Sequence, residues 1–193
     1  MNAFLTGVIF LVAFTATGNC LQCYECIGNG TDCTGELISC SDGVTTCETI
    51  KIETKQDDNT TNQVIKVCSR KDEQNSIYRE MSRTTYFQLE THICDTDGCN
   101  QGPAPHNAPD NTTNGVKCME CFSENGSDCD SEDIVECTGD MKKCLFMSSF
   151  GCIEESTPCS YRLCTNIKFI EQHPFYYQIA ESLVETIEVT DGI

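Results

Sequence analysis

The chain has 193 residues, a formal net charge of −18, seventeen cysteines and no tryptophan. Such acidity argues against nucleic acid as a partner, because phosphate would be repelled rather than neutralised. It suits a basic protein or a basic patch on one, although acidity also serves simply to keep an extracellular protein in solution.

In chain order, Met1 to Gly18 holds no charged side chain and an apolar run from Phe4 to Phe14, followed by small residues. This is the layout of a secretory signal peptide, assigned to residues 1–20, and the run is short for a membrane span. Cleavage after Gly18 satisfies the small-residue rule. Cleavage after Cys20 leaves an even sixteen cysteines, and parity favours it. Four Asn-x-Ser/Thr sequons, at Asn29, Asn59, Asn111 and Asn125, agree with a secreted, glycosylated product. No apolar tail follows that would signal a membrane anchor.

The remaining sixteen cysteines form two sets of eight. Cys23, Cys26, Cys33, Cys40 and Cys47 run with spacings of 3, 7, 7 and 7, and the set ends on Cys68, Cys94 and Cys99. Cys118, Cys121, Cys129, Cys137 and Cys144 run with 3, 8, 8 and 7, and end on Cys152, Cys159 and Cys164. Modules of roughly 80 residues cannot bury a large core, so disulfides must hold them. Glu48 to Lys55 alternates and is β-branched, and Gln63 to Val67 is its return strand, across the polar segment Gln56 to Asn62. Ile77 to Leu89 is a weaker hairpin. The proline-rich stretch Gly102 to Asn114 reads as a linker. In the second set only seven residues separate Cys144 from Cys152, against twenty between Cys47 and Cys68. Apolar residues from Phe169 to Val189 fall near helical spacing (Ile179, Leu183, Ile187) but assign no element. The domain expectation is therefore domain one at 21–102, a linker at 103–116, an incomplete domain two at 117–165, and an irregular acidic tail at 166–193.

LQCYEC (Leu21 to Cys26), the following cysteines, and the closing ICDTDGCN (Ile93 to Asn100) resemble the lymphocyte antigen 6 / urokinase receptor family of three-finger domains. The resemblance implies an all-β, disulfide-rich tandem of snake-toxin-like domains. It implies the pairs Cys23–Cys47, Cys26–Cys33, Cys40–Cys68 and Cys94–Cys99, with Asn100 bonded to backbone in the hub. For the second set it implies Cys118–Cys144, Cys121–Cys129 and Cys137–Cys152, which leaves Cys159 with Cys164. The usual pair bracing the third finger is absent, Tyr78 and Ile93 standing about where it would be, and the second set lacks the Cys-Asn closure. Two such modules in an acidic secreted chain are most similar to the gamma-type phospholipase A2 inhibitors. That similarity implies a binder of a secretory phospholipase, with homo-oligomers common in the group.

Catalysis finds no support. No Gly-x-Ser-x-Gly elbow frames a serine, and the two Cys-x-x-Cys pairs lack a βαβ context for redox work. His92, His106 and His173 show no zinc-ligand spacing, and Asp128, Asp130, Glu132 and Asp133 lack the glycine and bidentate glutamate of a calcium loop. No cofactor or metal is expected. Arg70, Lys71, Arg79 and Arg83 form the basic concentration of the chain. A solvated loop is the plainer account, but Tyr78, Tyr86 and Phe87 are interleaved, and such types are enriched in interface cores. These seven residues are the candidate partner contact. A glycan on Asn59, at the expected tip of finger two, would keep that tip out of a receptor cleft. The expectation is a secreted, non-enzymatic protein that masks a phospholipase sterically. A soluble receptor ligand or decoy of the urokinase-receptor type is the alternative, and an extracellular structural or pheromone-like protein is a third.

Overall fold

A computed structural model describes residues 20–70, 74–124, 126, 129–150, 158–172 and 184–193. Residues 1–19, which hold most of the expected signal peptide, and Lys71, Asn125, Asp128, Cys152 and His173 lie outside the described residues. The first cysteine set carries β1 (Gln22–Asn29), β2 (Glu36–Ser39), β3 (Thr46–Gln56), β4 (Asn59–Ser69), β5 (Ser76–Met81) and β6 (Thr85–Cys94). The second carries β7 (Thr113–Met119), β8 (Cys121–Ser123), β9 (Ile134–Thr138), β10 (Lys143–Phe150), β11 (Pro158–Thr165) and β12 (Val184–Asp191). The fold is all-β, disulfide-rich and of the three-finger type.

The long hairpin of the first repeat is tighter than the sequence implies. β3 and β4 pair without interruption from Thr46↔Ser69 to Gln56↔Asn59, so only Asp57 and Asp58 turn the chain. Asp57 adopts a left-handed φ of 52°, which aspartate tolerates better than most residues, and Thr60 and Thr61 suit the extended strand. β5 and β6 form the next hairpin, on the far side of β3.

The cysteines close Cys23–Cys47, Cys26–Cys33, Cys40–Cys68 and Cys94–Cys99 in the first repeat. In the second they close Cys118–Cys144 and Cys121–Cys129. One implied pairing needs correction: Cys137 bonds Cys164, not Cys152, so Cys164 is not the partner of Cys159. The cause is topological. β11 lies alongside β10 with Cys164 opposite Cys144, which carries Cys164 into the buried hub of Cys118, Val135, Cys137 and Met141. Cys159 is also disulfide-bonded. The sulfurs of Cys23, Cys40 and Cys68, and of Cys118, Cys137 and Cys164, cluster closely, yet all are oxidised and offer no thiolate to a metal. Cys20 is exposed and free.

The tail is corrected as well. Rather than being irregular throughout, it contributes β12, which pairs antiparallel with β10 from Lys143↔Asp191 to Ser149↔Val184. Its end returns to β7, where the Ile193 amide donates to the Lys117 carbonyl at 2.9 Å. A side chain at Gly192 would collide with Val116 Cγ1 at 2.3 Å, so the close approach needs glycine.

The two repeats share one sheet. Its order is β12-β10-β11-β5-β6-β3-β4-β1-β2, with β8 on β11, and β7 and β9 form a separate pair. The junction is β5 with β11, through Met81↔Cys164 and Glu80↔Thr165. On one face Tyr78 and Leu89, flanked by Ile50, Ile52 and Phe87, pack against Leu145, Ile167, Tyr161, Leu163, Ile187 and Val189. Neither repeat has this core without the other, as small modules with few large apolar residues would require.

The opposite face of β3, β4 and β6 is polar but still covered. Lys66, Gln88 and Glu90 are each only 1% exposed, because the proline-rich linker lies across them. Lys66 Nζ donates to Gly102 O at 2.8 Å, and Lys51 Nζ to Pro105 O at 3.1 Å. Glu90 accepts from the Asn107 amide side chain at 2.8 Å, and Gln88 donates to Asn107 O at 3.0 Å. The sheet thus supplies donors to a strap whose carbonyls have no strand to pair with. Lys51 and Lys66 are buried anchors for the linker.

Candidate functional site

An open cleft of about 970 Å³ lies between the repeats. Its first wall is the β5–β6 hairpin, from Glu80 through the turn Ser82–Thr84 to Phe87, with Gln56 at the rim. Its second wall is Glu120 to Ser123 with Cys129, Asp130, Ser131 and Asp133, and β11 contributes Tyr161, Arg162 and Leu163. The walls are held apart and fixed by Arg83. Its Nε meets Glu120 Oε2 at 2.8 Å and its Nη2 meets Asp133 Oδ2 at 2.8 Å, while its amide donates to Glu120 Oε1 at 3.2 Å. These two carboxylates raise the Arg83 pKa, Glu120 most.

Behind this clamp the wall is aromatic. Tyr78 and Phe87 meet edge to face with ring centroids 6.0 Å apart. Phe122 stands at the mouth, 60% exposed, in register with Tyr161. Among these groups sits the Glu80 carboxyl, in register with Phe87 and Thr165. It accepts the Tyr78 hydroxyl at 2.5 Å. Burial raises its pKa, and the Tyr78 hydrogen bond opposes that. Burial likewise pushes the Tyr78 and Tyr161 hydroxyls up, helped by the Glu80 charge, so both stay protonated. Strand alternation explains the grouping: Tyr78 and Glu80, two apart on β5, share the face that meets β11.

The candidate contact residues read from the sequence fall largely inside this junction, which corrects their assignment as a free surface. Arg79 is buried. Its Nη1 meets Asp140 Oδ2 at 2.8 Å, its Nε donates to Gln88 Oε1 at 2.7 Å, and its Nη2 donates to Asn107 O at 3.3 Å. Tyr78 is buried in the shared core, and Phe87 packs against it. The Tyr86 hydroxyl donates to Gln88, and its ring packs on the hub of the second repeat. Arg83 is paired across the cleft, Arg70 is exposed, and Lys71 lies outside the described residues. The aromatic and arginine content that marks an interface marks here an interface within the chain. Asp130 and Asp133, exposed and outside any strand, stand at the edge of the cleft, while Asp128 lies outside the described residues. His92 and His106 both face Glu90.

Sequence reading missed Glu80, Phe122, Tyr161, Asp140 and Asn166. Asn166 is the key to the junction. Its Oδ1 accepts from the Arg79 amide at 2.8 Å and its Nδ2 donates to Ile77 O at 2.8 Å. Its only sequence signal was its place two residues after Cys164, close to where the first repeat has Asn100 after Cys99.

Of the sequon asparagines, Asn29, Asn59 and Asn111 are exposed, and Asn125 lies outside the described residues. Among the described residues no helix is long and apolar enough to cross a membrane.

No family model matches the chain. A phospholipase A2 inhibitor, NAI, of Notechis ater is 30% identical over 137 residues, covering 68% of this chain and 67% of that protein. A gamma-type phospholipase A2 inhibitor of Elaphe quadrivirgata is 30% identical over 145 residues, 74% of this chain and 72% of the relative. Its counterpart in Gloydius brevicaudus siniticus is 28% identical over 148 residues, 75% and 73% of the two chains. Among solved structures, mouse TEX101 matches with a TM-score of 0.35 and 13% identity, over 88% of this chain and 99% of that one.

Proposed function

We propose that this chain, which belongs to the gamma-type phospholipase A2 inhibitor family, is a secreted, non-enzymatic protein that binds a secretory phospholipase A2 and masks its working face sterically. The names of the relatives support the target class. The observation that carries the mechanism is the welding of the two repeats through β5 and β11. A binder whose halves are already fixed loses little conformational freedom on docking, so modest contacts suffice. The cleft has the size and the mixed apolar and acidic lining that a protruding loop requires. Glycans on Asn29, Asn59 and Asn111 would sit on exposed positions, and the one on Asn59 would keep the β3–β4 tip out of the contact.

The test is capture and inhibition with the full secreted chain. A panel of secretory phospholipases is expected to yield at least one enzyme bound at micromolar concentration or below, with vesicle hydrolysis falling in proportion to the complex formed. Hydrolysis unaffected in the saturated complex would remove the masking mechanism. Recovery of a membrane receptor in place of every phospholipase would transfer the chain to the receptor-decoy reading.

A further inference from the structure

The cleft contains a carboxyl, that of Glu80, to which no cation is paired among the described residues. Glu80 lies on the apolar face of β5, and among the described residues its hydrogen-bond partner is the Tyr78 hydroxyl, with no cation paired to it. Neither arginine of the cleft forms an ion pair with Glu80. Arg83 is shared by Glu120 and Asp133, and Arg162 places its guanidinium over the Phe146 ring at 4.3 Å. Asp130, exposed at the rim, adds another carboxylate with no salt bridge among the described residues. A largely buried carboxylate with no compensating cation is costly, and in native proteins such a group calls for an explanation.

The surroundings supply one. Phe87, Tyr161 and Leu163 form walls suited to a methylene stem, and Phe122 closes the mouth. A long basic side chain buries its stem along apolar surface and delivers its charge to the end, and aromatic faces add cation–π attraction. The carboxylates at the rim would draw such a group in. We propose that this cleft receives a lysine or arginine side chain from a loop of a protein partner, with the stem between Phe87, Tyr161 and Phe122 and the cation on Glu80. The cleft is larger than a single side chain, so apolar neighbours of that residue enter with it. This deepens the function proposed above, because it names the partner chemistry that the masking surface selects.

The probe is the peptide acetyl-Phe-Lys-Phe-amide, with its norleucine twin as the uncharged control, titrated into the full glycosylated chain carrying ¹³C-methyl methionine. Met81 lines the cleft and Met119 does not. The lysine peptide is expected to shift the Met81 methyl, leave Met119 unmoved, and bind at least five-fold more tightly than its twin. Glu80→Gln keeps the shape and the Tyr78 contact and is expected to abolish that preference. Phe122→Ala, at an exposed position, is expected to weaken both peptides, and Asp130→Asn the lysine peptide alone. These two variants carry the test should Glu80→Gln fail to secrete. Equal binding of the twins, a lysine preference that survives Glu80→Gln, or a response at Met119 instead of Met81 overturns the proposal. Phospholipase capture on the same variants separates it from the function above. Peptide binding with no enzyme captured leaves the cleft and removes the target, whereas an enzyme captured equally by Glu80→Gln leaves the target and removes the cleft.

Discussion

The two cysteine repeats begin alike and finish differently. The first finishes on itself: Cys94 and Cys99 close a short loop, and Asn100 bonds both the amide and the carbonyl of Tyr24, each at 2.9 Å. The second finishes on its neighbour. Cys137 holds Cys164, and Asn166 bonds the Arg79 amide and the Ile77 carbonyl of β5. The same device, an asparagine amide that satisfies one donor and one acceptor of a strand, seals a hub in one repeat and welds two repeats in the other. A module without the Cys-Asn ending of the first therefore becomes part of its neighbour's sheet. That is how a pair of small domains becomes a single rigid binder.

The largest expected effect comes from removing the two closures. Replacing Cys137 and Cys164 together with alanine opens a sequence separation of 27, against 5 for Cys94 and Cys99. Chain entropy then puts the first loss at about 3.5 kcal/mol and the second at about 2 kcal/mol. Denaturation midpoints of the two double variants check the order, and a reversed order would show that the junction does not depend on the second closure. Asn166→Ala comes next, at roughly 1–3 kcal/mol, because it strands a backbone donor and acceptor at the junction. Native-state hydrogen exchange should show the Arg79 amide losing protection ahead of the Tyr24 amide, and equal loss at both would contradict a local weld. The arginines sharpen the contrast further. Arg79→Met removes a buried guanidinium from three partners and is expected to cost about 2–3 kcal/mol. Arg83→Met breaks an exposed bridge and should cost less than Arg79→Met, by an amount that diminishes with added salt.

These residues also mark how far the sequence could be read. The cysteine ladder is legible because its spacing is local and repeated, and the β3–β4 hairpin because Ile50 and Ile52 alternate with charge. The partner of Cys137 was not legible, since it depends on which strand β11 lies beside, and no closing Cys-Asn pair marked the place. β12 was masked by the near-helical spacing of Ile179, Leu183 and Ile187, although the β-branched run Val184, Thr186, Ile187, Val189 and Thr190 is a strand signal. For Lys51 and Lys66, alternation says only that they leave the apolar face. It cannot say that a proline-rich strap lies over them. Tyr78, Arg79 and Phe87 were recognised as interface residues from their chemistry, but composition does not tell an interface within a chain from one between chains.

The smallest effect concerns the two faces of the junction and has opposite signs for stability and binding. Burial raises the Glu80 pKa above its ordinary 4.5, so the folded protein holds that proton more tightly than the unfolded chain. The stability it contributes is fully present below the unfolded value and is lost as pH rises through the folded one. Asp32 on the strapped face behaves in the reverse sense. The Lys66 ammonium, 2.5 Å away, holds its carboxyl below 3.8, so its contribution is present at neutral pH and is lost on acidification. Glu80→Gln is therefore expected to match the natural chain in Tm near about pH 4 and to exceed it by a growing margin towards about pH 7. Tyr78 and Tyr161 remain protonated throughout; the other charged groups facing the cleft are Glu120, Asp130, Asp133, Arg83 and Arg162. If Glu80 were only a structural carboxyl, its replacement would lower Tm or leave the pH profile parallel. A variant that gains stability at neutral pH while losing its preference for the lysine peptide would show that the carboxyl is retained for binding, against the interest of the fold.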